Sequence, residues 1–495
     1  MLSAVTLCDL RVTSVSPFLK NKMNLNFTVS CLLMAALMTA CQSSGKKETS
    51  SGDIHLITLD PGHFHAALVQ KTMYEGVDPT VQVYAPEGRS DGPSDLQLHL
   101  DKIQGYNTRS DDPTNWKEEV YKGADFFDKM LAQQAGSGQA SKVVVMAGNN
   151  QLKTDYIQKT IDAGFNVLAD KPMVISASNF DKLKESFATA EKKKALLYDI
   201  MTERYEITTM LQRAFSQQPV VFGTLEKGTP EEPAVTKVSV HHFYKNVSGS
   251  VLTRPAWFMD VAQQGEGIVD VTTHLVDLVQ WECFPDQMID YQKDIKLTSA
   301  RRWATDMSLS QFKAITKQNV FPDYLKKDVV KDSVLRVYSN GEINYQLKGI
   351  NAKVSVTWAY KAPEGAGDTH FSVMRGTKAN LTIQQGPEQQ YKPTLYIEPI
   401  VGNTTLEASL KAALPTIQKE FPGVTVKKVR SGWEVVVPEK YKEGHEAHFG
   451  RVAQKYLDYL KAGQLPVWEV PNMIAKYYTT TQALEMAKNK RSKVQ

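Results

Sequence analysis

The sequence of 495 residues has little net charge, few cysteines, no internal repeat and no low-complexity tract. Its formal charge is +4, and loss of residues 1–40 would leave about +2, too close to neutral for a nucleic-acid-binding surface. Hydrophobic residues make up 42% and charged residues 23%, which indicates a globular chain folded over most of its length. Its length predicts two domains, or two with an embellishment.

Long hydrophobic runs are also missing. The apolar run from Phe27 to Ala40 is too short to span a bilayer and ends in small residues. We interpret residues 1–40 as an export signal, with a short buried helix as the alternative. LMTAC resembles a bacterial lipobox with Cys41 as the lipidated residue, and residues 41–53 have the composition of a flexible tether. We expect a chain anchored to the cell envelope, on the periplasmic side or the cell surface, touching the membrane through its lipid alone.

Four cysteines are too few for a disulfide framework. Cys8 and Cys31 lie in the segment expected to be removed, and Cys41 is expected to be acylated. Cys283 is then the one remaining thiol, so we predict no intrachain disulfide even in an oxidising compartment.

From Ile54 onward, short β-rich runs alternate with amphipathic stretches, which predicts a parallel, doubly wound sheet in a domain spanning 54–203. The segment Pro86 to Trp116 is longer than usual connections, so we expect it to be functional or mobile. The predicted strands are Ile54 to Leu59, Thr80 to Tyr84, Lys142 to Ala147, Asn166 to Ala169 and Ala195 to Asp199, and two predicted helices are Leu152 to Ala163 and Ser176 to Lys192.

Beyond Arg204 the pattern changes to strands with few helices, which predicts an antiparallel sheet in a second domain, 204–400. The Asn340-Gly341 pair between two alternating runs predicts a two-residue hairpin. The last segment, 401–495, is expected to pack on both domains. It is predicted to contain a helix and a hairpin between Thr404 and Val437, and helices at His445 to Lys461 and Pro471 to Lys488.

The stretch from Ile54 to Lys71 has the layout of a dinucleotide-binding turn, a strand followed by a tight turn and a helix. Such a turn uses three glycines, and Asp60, Gly62 and His65 stand at their places. Gly62 occupies the position that approaches the pyrophosphate, whereas the Asp60 carboxylate would repel it. Taken alone, this stretch favours a strand-turn-helix without a ligand.

A second motif begins at Val143 with VVVMAGNNQLKTDYIQKTIDAGFNVLADKP, which indicates strand, polar loop, helix and strand before Asp170-Lys171-Pro172. It resembles the corresponding segment of the Gfo/Idh/MocA family (glucose-fructose oxidoreductase and inositol dehydrogenase), which ends in Glu-Lys-Pro. Asp170 takes the place of the Glu, and Lys153 stands where many members have His. Lys171 would lie at the carboxyl end of a parallel strand, where such sheets bind ligands.

A third motif, GEGIVDVTTHLVDLVQW, resembles the substrate-domain helix of the same family. Asp270 and His274 are four residues apart and Asp277 follows three later, so all three can project from one helix face. A helical His satisfied by its own carboxylate is the structural alternative. The resemblance extends over about Ile54 to Ile383.

The resemblance implies an α/β Rossmann domain with a doubly wound parallel sheet, followed by a domain with an open-faced, mainly antiparallel sheet. It implies that Lys171 stabilises an alkoxide, that His274 moves the hydroxyl proton, and that Asp270 orients the imidazole. The cofactor would be NAD or NADP, and the carboxylate of Glu87 favours NAD. The residues expected at the cofactor are Gly62, His63, Phe64, His65, Glu87, Asn149, Asn150, Asp170 and Lys171, and those expected at the substrate are Arg204, Arg254, Trp257 and Asp277.

The activity that the resemblance implies is oxidation or reduction of a sugar or glycoside, in a homo-oligomer formed through the open sheet. Because free NAD is scarce outside the cytoplasm, we expect the cofactor to be tightly held. One alternative is redox-assisted glycoside hydrolysis, in which a hydroxyl is oxidised, the leaving group is eliminated and the ketone is reduced again. A second alternative is a carbohydrate-binding lipoprotein without catalysis.

Two histidine pairs remain. His241 and His242 follow each other on a predicted strand, so at most one can point into a given site. His445 and His448 are three residues apart, but they lack a third ligand in sequence and the HExxH spacing. We interpret both pairs as structural and predict no metal site.

Overall fold

The computed structural model describes residues 52–87, 95–136, 138, 141–247, 250–331 and 333–489. They belong to one compact unit, Ser51–Gln495. The predicted signal segment and Cys41 lie outside the described residues. Among the helices of the described part, none is long and apolar enough to form a bilayer span.

The first domain contains a parallel sheet of six strands in the order β3-β2-β1-β4-β5-β6. The strands β1, β4, β5 and β6 are almost wholly buried, as expected when helices cover both faces of a parallel sheet. The Rossmann-type sheet predicted from the sequence is confirmed. Its strands are β1 (His55–Leu59), β2 (Thr80–Ala85), β3 (Lys117–Lys122), β4 (Lys142–Met146), β5 (Asn166–Asp170) and β6 (Leu197–Ile200).

The connection after β2 contains a helix that the sequence pattern does not predict. It lies in the segment from Pro86 to Trp116, which we expect to be functional or mobile. The helix has 14 mostly polar residues, of which Leu96, His99 and Ile103 are buried. The edge strand β3 was also missed, because its KEEVYK sequence is largely charged. The helices of this domain are α1 (His65–Val69), α2 (Asp95–Thr108), α3 (Phe126–Gln134), α4 (Lys153–Asp162) and α5 (Phe180–Lys193).

The second domain is built on a mainly antiparallel sheet of ten strands, in which only β13 and β7 pair in parallel within the described residues. The predicted antiparallel sheet is therefore confirmed. Its strands are β7 (Val235–Tyr244), β10 (Ile295–Ser308), β11 (Val329–Val330), β12 (Val334–Leu347), β13 (Ile350–Lys361), β14 (Thr369–Arg375), β15 (Ala379–Gln384), β16 (Thr394–Pro399), β17 (Thr425–Val429) and β18 (Gly432–Val436), and a separate ribbon pairs β8 (Asn246–Val247) with β9 (Ser250–Val251).

The prediction of a hairpin at Asn340-Gly341 is wrong, because both residues lie inside β12. A Cβ on Gly341 would lie 2.5 Å from the Cβ of Ile268, so the glycine is needed for a close approach between chain segments. The amide of Asn340 accepts from the Trp358 backbone at 2.6 Å and donates to the Trp303 carbonyl at 3.1 Å. Asn340 and Gly341 therefore hold β12 against its neighbours where the register between β10 and β12 shifts, and they do not form a turn.

Helices of the second domain and the C-terminal segment complete the core. α11 packs against α1 and β6 of the first sheet, and α12 packs against α5, α8 and β10. Of the two C-terminal helices, α12 thus contacts elements of both domains. The bounds are α6 (Ile207–Ser216), α7 (Val261–Gln264), α8 (Thr272–Cys283), α9 (Leu309–Thr316), α10 (Leu406–Glu420), α11 (His445–Ala462) and α12 (Glu469–Asn489).

Candidate active site

A cleft of about 1070 Å³ lies between the carboxyl ends of the parallel strands and the second sheet. Its walls come from the turns after β1, β4 and β5, from α8, from β7 and β13, and from the start of α11. Parallel strands end at the same edge of a sheet, so residues distant in sequence meet there. Of the residues predicted for the site, those lining the cleft are His63, Phe64, His65, Asn150, Asp170, Lys171, Arg254, Asp270 and His274.

Lys171 and Asp270 form an ion pair across the two domains. The Nζ atom of Lys171 donates to Oδ1 of Asp270 at 2.6 Å, and the two side chains are 10% and 6% exposed. The other oxygen of Asp270 accepts from Gln264 at 3.2 Å. Asp270 was expected to orient His274, but its hydrogen bonds go to Lys171 and Gln264, because it lies in the turn before α8 and not on the helix face.

His274 lines the same cleft from the first turn of α8. Its Nδ1 atom is buried and has no hydrogen-bond partner among the described residues. Burial and the nearby charge of Lys171 lower its pKa well below 6.5. The imidazole is therefore neutral at neutral pH. A neutral imidazole can accept a proton but holds it weakly.

The backbone amides of the turn after β1 are already hydrogen-bonded to other protein atoms. The amide of Gly62 donates to the Asp60 carbonyl at 2.7 Å, and that of His63 donates to the Ala147 carbonyl at 3.1 Å. The amide of His65 donates to Nδ1 of His63 at 3.3 Å. The helix that follows, α1, has five residues. Few backbone donors are therefore left to face a phosphate.

Trp257 and Asp95 cover Gly62. A Cβ on Gly62 would lie 3.3 Å from the indole of Trp257 and 3.4 Å from a carboxylate oxygen of Asp95. The indole Nε1 donates to that carboxylate at 3.0 Å, and Trp257 is 1% exposed. Trp257 is predicted to contact the substrate, but it packs on the turn after β1. The reason is that the segment after β9 folds back onto the first domain. A pyrophosphate over Gly62 does not fit this arrangement, since it would meet the indole and a negative charge.

Unlike Gly62, the carboxyl ends of β4 and β5 are open to the cleft. Gly148, Asn150 and Lys171 line it, and these positions follow β4 and β5. Asn150 donates to the Gln264 carbonyl at 2.7 Å, and Asn149, which does not line the cleft, donates to the side chain of Gln263 at 2.7 Å. The residues at this end are compatible with a nicotinamide ring, unlike those at Gly62.

Arg204 and Asp277 are not at the cleft, contrary to their predicted substrate role. Arg204 donates through Nε and Nη2 to both oxygens of Asp277 at 2.7 Å, and through Nη1 to Glu469 at 2.8 Å. Lys476 contacts Asp277 at 2.8 Å and Asp199 at 2.7 Å. Burial opposes ionisation of Asp277, but Arg204 and Lys476 lower its pKa overall. These residues form a buried charge network that ties α12 to both domains.

Two other residues predicted for the site are Glu87, which lies outside the cleft, and Arg254, which lines it. Glu87 is exposed just past β2 and does not line the cleft. Arg254 lines the cleft but is 4% exposed. Its guanidinium donates to the carbonyls of Phe243 and His242 at 3.0 and 3.3 Å and lies 4.6 Å from the Phe258 ring centre, and burial lowers its pKa to about 10.

The cleft contains more titratable groups than the sequence predicts. Seven of the ten histidines line the cleft. As expected, His241 points into it and His242 does not; both contact the carboxylate of Asp368, at 3.1 and 3.2 Å. Glu203 also lines the cleft, and burial raises its pKa. The pairs of histidines were visible in the sequence, but their common destination depends on contacts between strands far apart in the chain.

Comparison with known proteins places this architecture. Residues 211–488 match the family described as "Putative oxidoreductase C terminal domain", and residues 109–199 match "Oxidoreductase family, NAD-binding Rossmann fold". No curated protein matches the chain. A crystal structure of a "putative oxidoreductase" from Parabacteroides merdae is 57% identical, with a TM-score of 0.85 over 89% of this chain and 99% of that one.

More distant solved structures share the fold. Levoglucosan dehydrogenase in complex with NADH and levoglucosan is 10% identical, with a TM-score of 0.55 over 88% of this chain and 98% of that chain. KijD10, a 3-ketoreductase of Actinomadura kijaniata in complex with NADP, is 11% identical, with a TM-score of 0.51 over 88% and 97%. Together with the family matches, the fold and the site lead to one conclusion: the chain belongs to the Gfo/Idh/MocA oxidoreductase family, with an NAD-binding Rossmann domain followed by the oxidoreductase C-terminal domain.

Proposed function

We propose that this protein is an NAD(P)-dependent oxidoreductase that acts on a hydroxyl or carbonyl group of a sugar or glycoside. The observation that carries the proposal is the meeting of Lys171, paired with Asp270, and the neutral imidazole of His274 in one cleft. A cation and a proton acceptor beside one substrate carbon are what such chemistry requires. The levoglucosan dehydrogenase of the same fold, crystallised with NADH and its sugar, supports the proposal.

The size and walls of the cleft suit a carbohydrate. Its volume of about 1070 Å³ is at the upper end of typical ligand pockets. Trp358, Phe258 and Tyr244 present aromatic surface to it, and His241 and Asp368 present polar groups. Aromatic rings pack on the apolar faces of sugar rings, and polar groups bind the hydroxyls.

Lys171 and His274 divide the proton chemistry. The ammonium of Lys171, held by Asp270, donates to the reacting oxygen and stabilises the negative charge that develops on it. His274 accepts the hydroxyl proton on oxidation and returns it on reduction. A bound nicotinamide supplies the hydride transfer.

For the cofactor, we propose that Asn150, Gly148 and Lys171 hold the nicotinamide end, and that Glu87 after β2 favours NAD over NADP. Trp257 and Asp95 must leave Gly62 before a pyrophosphate can lie there. Slow exchange would follow, which agrees with a tightly held cofactor in an exported, lipid-anchored protein. The lipid anchor at Cys41 and the homo-oligomer through the open sheet stay predictions.

Redox-assisted glycoside hydrolysis is the second candidate, and Glu203 favours it. This carboxyl group lines the cleft and its pKa is raised by burial, so it can stay protonated long enough to protonate a leaving group. A non-catalytic carbohydrate-binding protein is the third candidate, and the covered Gly62 favours that one.

Two measurements separate the three candidates. Denaturing the purified full chain should release a nicotinamide dinucleotide, identified by absorbance and mass; no release, together with no thermal shift on adding NAD or NADP, would support the binding protein. Incubation with glycosides then distinguishes the enzymes. A dehydrogenase gives a keto-sugar with net cofactor reduction, whereas the hydrolase gives free sugar and aglycone with the cofactor unchanged.

A further inference from the structure

His63, His65 and Asp170 form a compact group at the carboxyl ends of β1 and β5. One candidate ligand atom from each residue lies within 4.8 Å of the other two. Nδ1 of His65 is 2.8 Å from Oδ2 of Asp170, and the two imidazole centres are 4.0 Å apart. Two imidazoles and one carboxylate are a ligand set found at catalytic zinc and non-haem iron sites.

We propose that His63, His65 and Asp170 bind one divalent transition-metal ion, with Zn²⁺ as the best match, and leave further coordination positions open to the cleft. All three residues line that cleft, so the open positions face the space assigned above to a substrate. The metal site itself does not depend on the proposed function, because it rests on the ligand geometry alone.

The distances require an adjustment on binding. With metal–ligand bonds of about 2.0–2.2 Å, two ligand atoms of a tetrahedral site lie about 3.3–3.6 Å apart. Separations of up to 4.8 Å therefore need a contraction of up to about 1.5 Å, through rotation of the side chains. On binding, Nδ1 of His65 presents its lone pair to the metal and its ring proton moves to Nε2, so the imidazole stays neutral.

Neighbouring groups hold the three ligands in place. The ring of Phe449 lies 4.5 Å from that of His65, and the ring of Phe258 lies 6.2 Å from that of His63. Nζ of Lys153 donates to the backbone carbonyl of Asp170 at 3.0 Å, which fixes the end of β5. Such support orients ligands before the metal arrives.

Positive charges nearby oppose binding in part. Lys171 is adjacent in sequence to Asp170, but its charge is compensated by Asp270 at 2.6 Å. Lys153 is 2% exposed and its Nζ atom donates to the backbone carbonyl of Asp170 at 3.0 Å. Arg254 adds a further positive charge, with its guanidinium 4.6 Å from the centre of the Phe258 ring that stacks on His63. We therefore expect a site that holds its metal through imidazole bonds more than through long-range attraction.

This group contradicts the expectation of no metal site, and its members are distant along the chain. His63 and His65 belong to the turn that resembles a nucleotide site, and Asp170 follows about a hundred residues later. The order β1-β4-β5 in the sheet brings them together.

Metal binding by the full chain tests the proposal directly. The protein is stripped with EDTA and titrated with Co²⁺, followed by visible absorption, and with Zn²⁺, followed by calorimetry. We expect one ion per chain and at least tenfold weaker binding in His63→Ala, His65→Ala and Asp170→Asn. His55→Ala is the matched control, because His55 begins β1, the strand that precedes the turn with His63, and its side chain is 39% exposed and lies 3.8 Å from the Asp78 carboxylate. Circular dichroism establishes that each variant is folded.

A second measurement needs no variant. Diethyl pyrocarbonate modifies accessible imidazoles, and peptide mass spectrometry locates the modified residues. Zn²⁺ should slow modification of His63 and His65 and leave His55 unchanged. Failure of the wild-type chain to bind Co²⁺ or Zn²⁺, binding that survives all three substitutions, or equal modification with and without Zn²⁺ would each overturn the proposal.

Discussion

Replacing Arg204 by alanine separates a structural role from the substrate-binding role that the sequence suggested. Arg204 is 8% exposed and makes two hydrogen bonds to Asp277 and one to Glu469, whose side chains are 2% and 1% exposed. Asp277 would keep Lys476 as a partner at 2.8 Å, but Glu469 would keep only the neutral Tyr198 hydroxyl at 3.1 Å among the described residues. Removing one member of a buried ion pair costs about 3–5 kcal/mol.

The cost should be visible as a drop in the melting temperature of about 3–5 °C, because the entropy of unfolding of the compact unit Ser51–Gln495 is about 0.9 kcal/mol per kelvin. Burial raises the pKa of the Glu469 carboxyl group, which favours its protonated form once Arg204 is removed and reduces the loss of stability. Arg204→Lys should recover part of the stability, because it restores the charge but not the two-pronged geometry. Arg336→Ala is the control, since Arg336 makes a similar two-pronged contact with Asp306 on the surface and should leave the melting temperature almost unchanged.

The pH dependence of the unfolding free energy distinguishes the loss of an ion pair from the loss of packing. The pKa of Asp277 is lowered by Arg204 and Lys476 against the opposing effect of burial, so the stability that its ionised form contributes is complete above about pH 4, the ordinary range of a free aspartate. It is lost as the pH falls below that range. The difference in unfolding free energy between wild type and Arg204→Ala should therefore narrow in acid. A variant that melts like the wild type but binds sugar poorly would refute the structural assignment.

Three further predictions concern the cleft. Lys171→Ala should lower kcat by about 10²–10³-fold, the usual cost of losing a donor to a developing oxyanion, whereas Lys296→Ala, on the exposed side of β10, should not change it; equal rates in the two variants would remove the role of Lys171. Because burial and Lys171 lower the pKa of His274 well below 6.5, its protonation should reduce the rate only below pH 6.5, and a rate–pH profile with its acid limb at or above 6.5 would contradict a His274 base. Trp257→Ala should lower the unfolding free energy by about 3–5 kcal/mol, as for other buried tryptophans, and speed dinucleotide exchange by uncovering Gly62; unchanged exchange in a stopped-flow displacement assay would mean that the indole does not guard the turn.

The N-terminal sheet could be read closely from the sequence because its strands are buried on both faces. The apolar runs KVVVM in β4 and NVLAD in β5 indicate buried strands by their own composition. Amphipathic helices lie between such strands. The charged strand β3 and the polar helix α2 escaped because their burial is set by neighbours and not by their own composition. Asn340-Gly341 was misread for the same reason: the glycine is needed where Ile268 approaches, which no local pattern shows.

The sequence by itself determined the fold class, the order of the buried strands of the first sheet and the approximate place of Lys171, Asp270 and His274, since hydrophobic periodicity and short motifs depend on neighbours along the chain. Tertiary structure alone decided which side chains meet. It paired Asp270 with Lys171 and not with His274, placed Arg204 and Asp277 in a buried network, laid Trp257 over Gly62 and brought His63, His65 and Asp170 together. The physical reason is that hydrogen bonds and ion pairs act over a few ångströms in space, a distance that spacing along the chain does not specify.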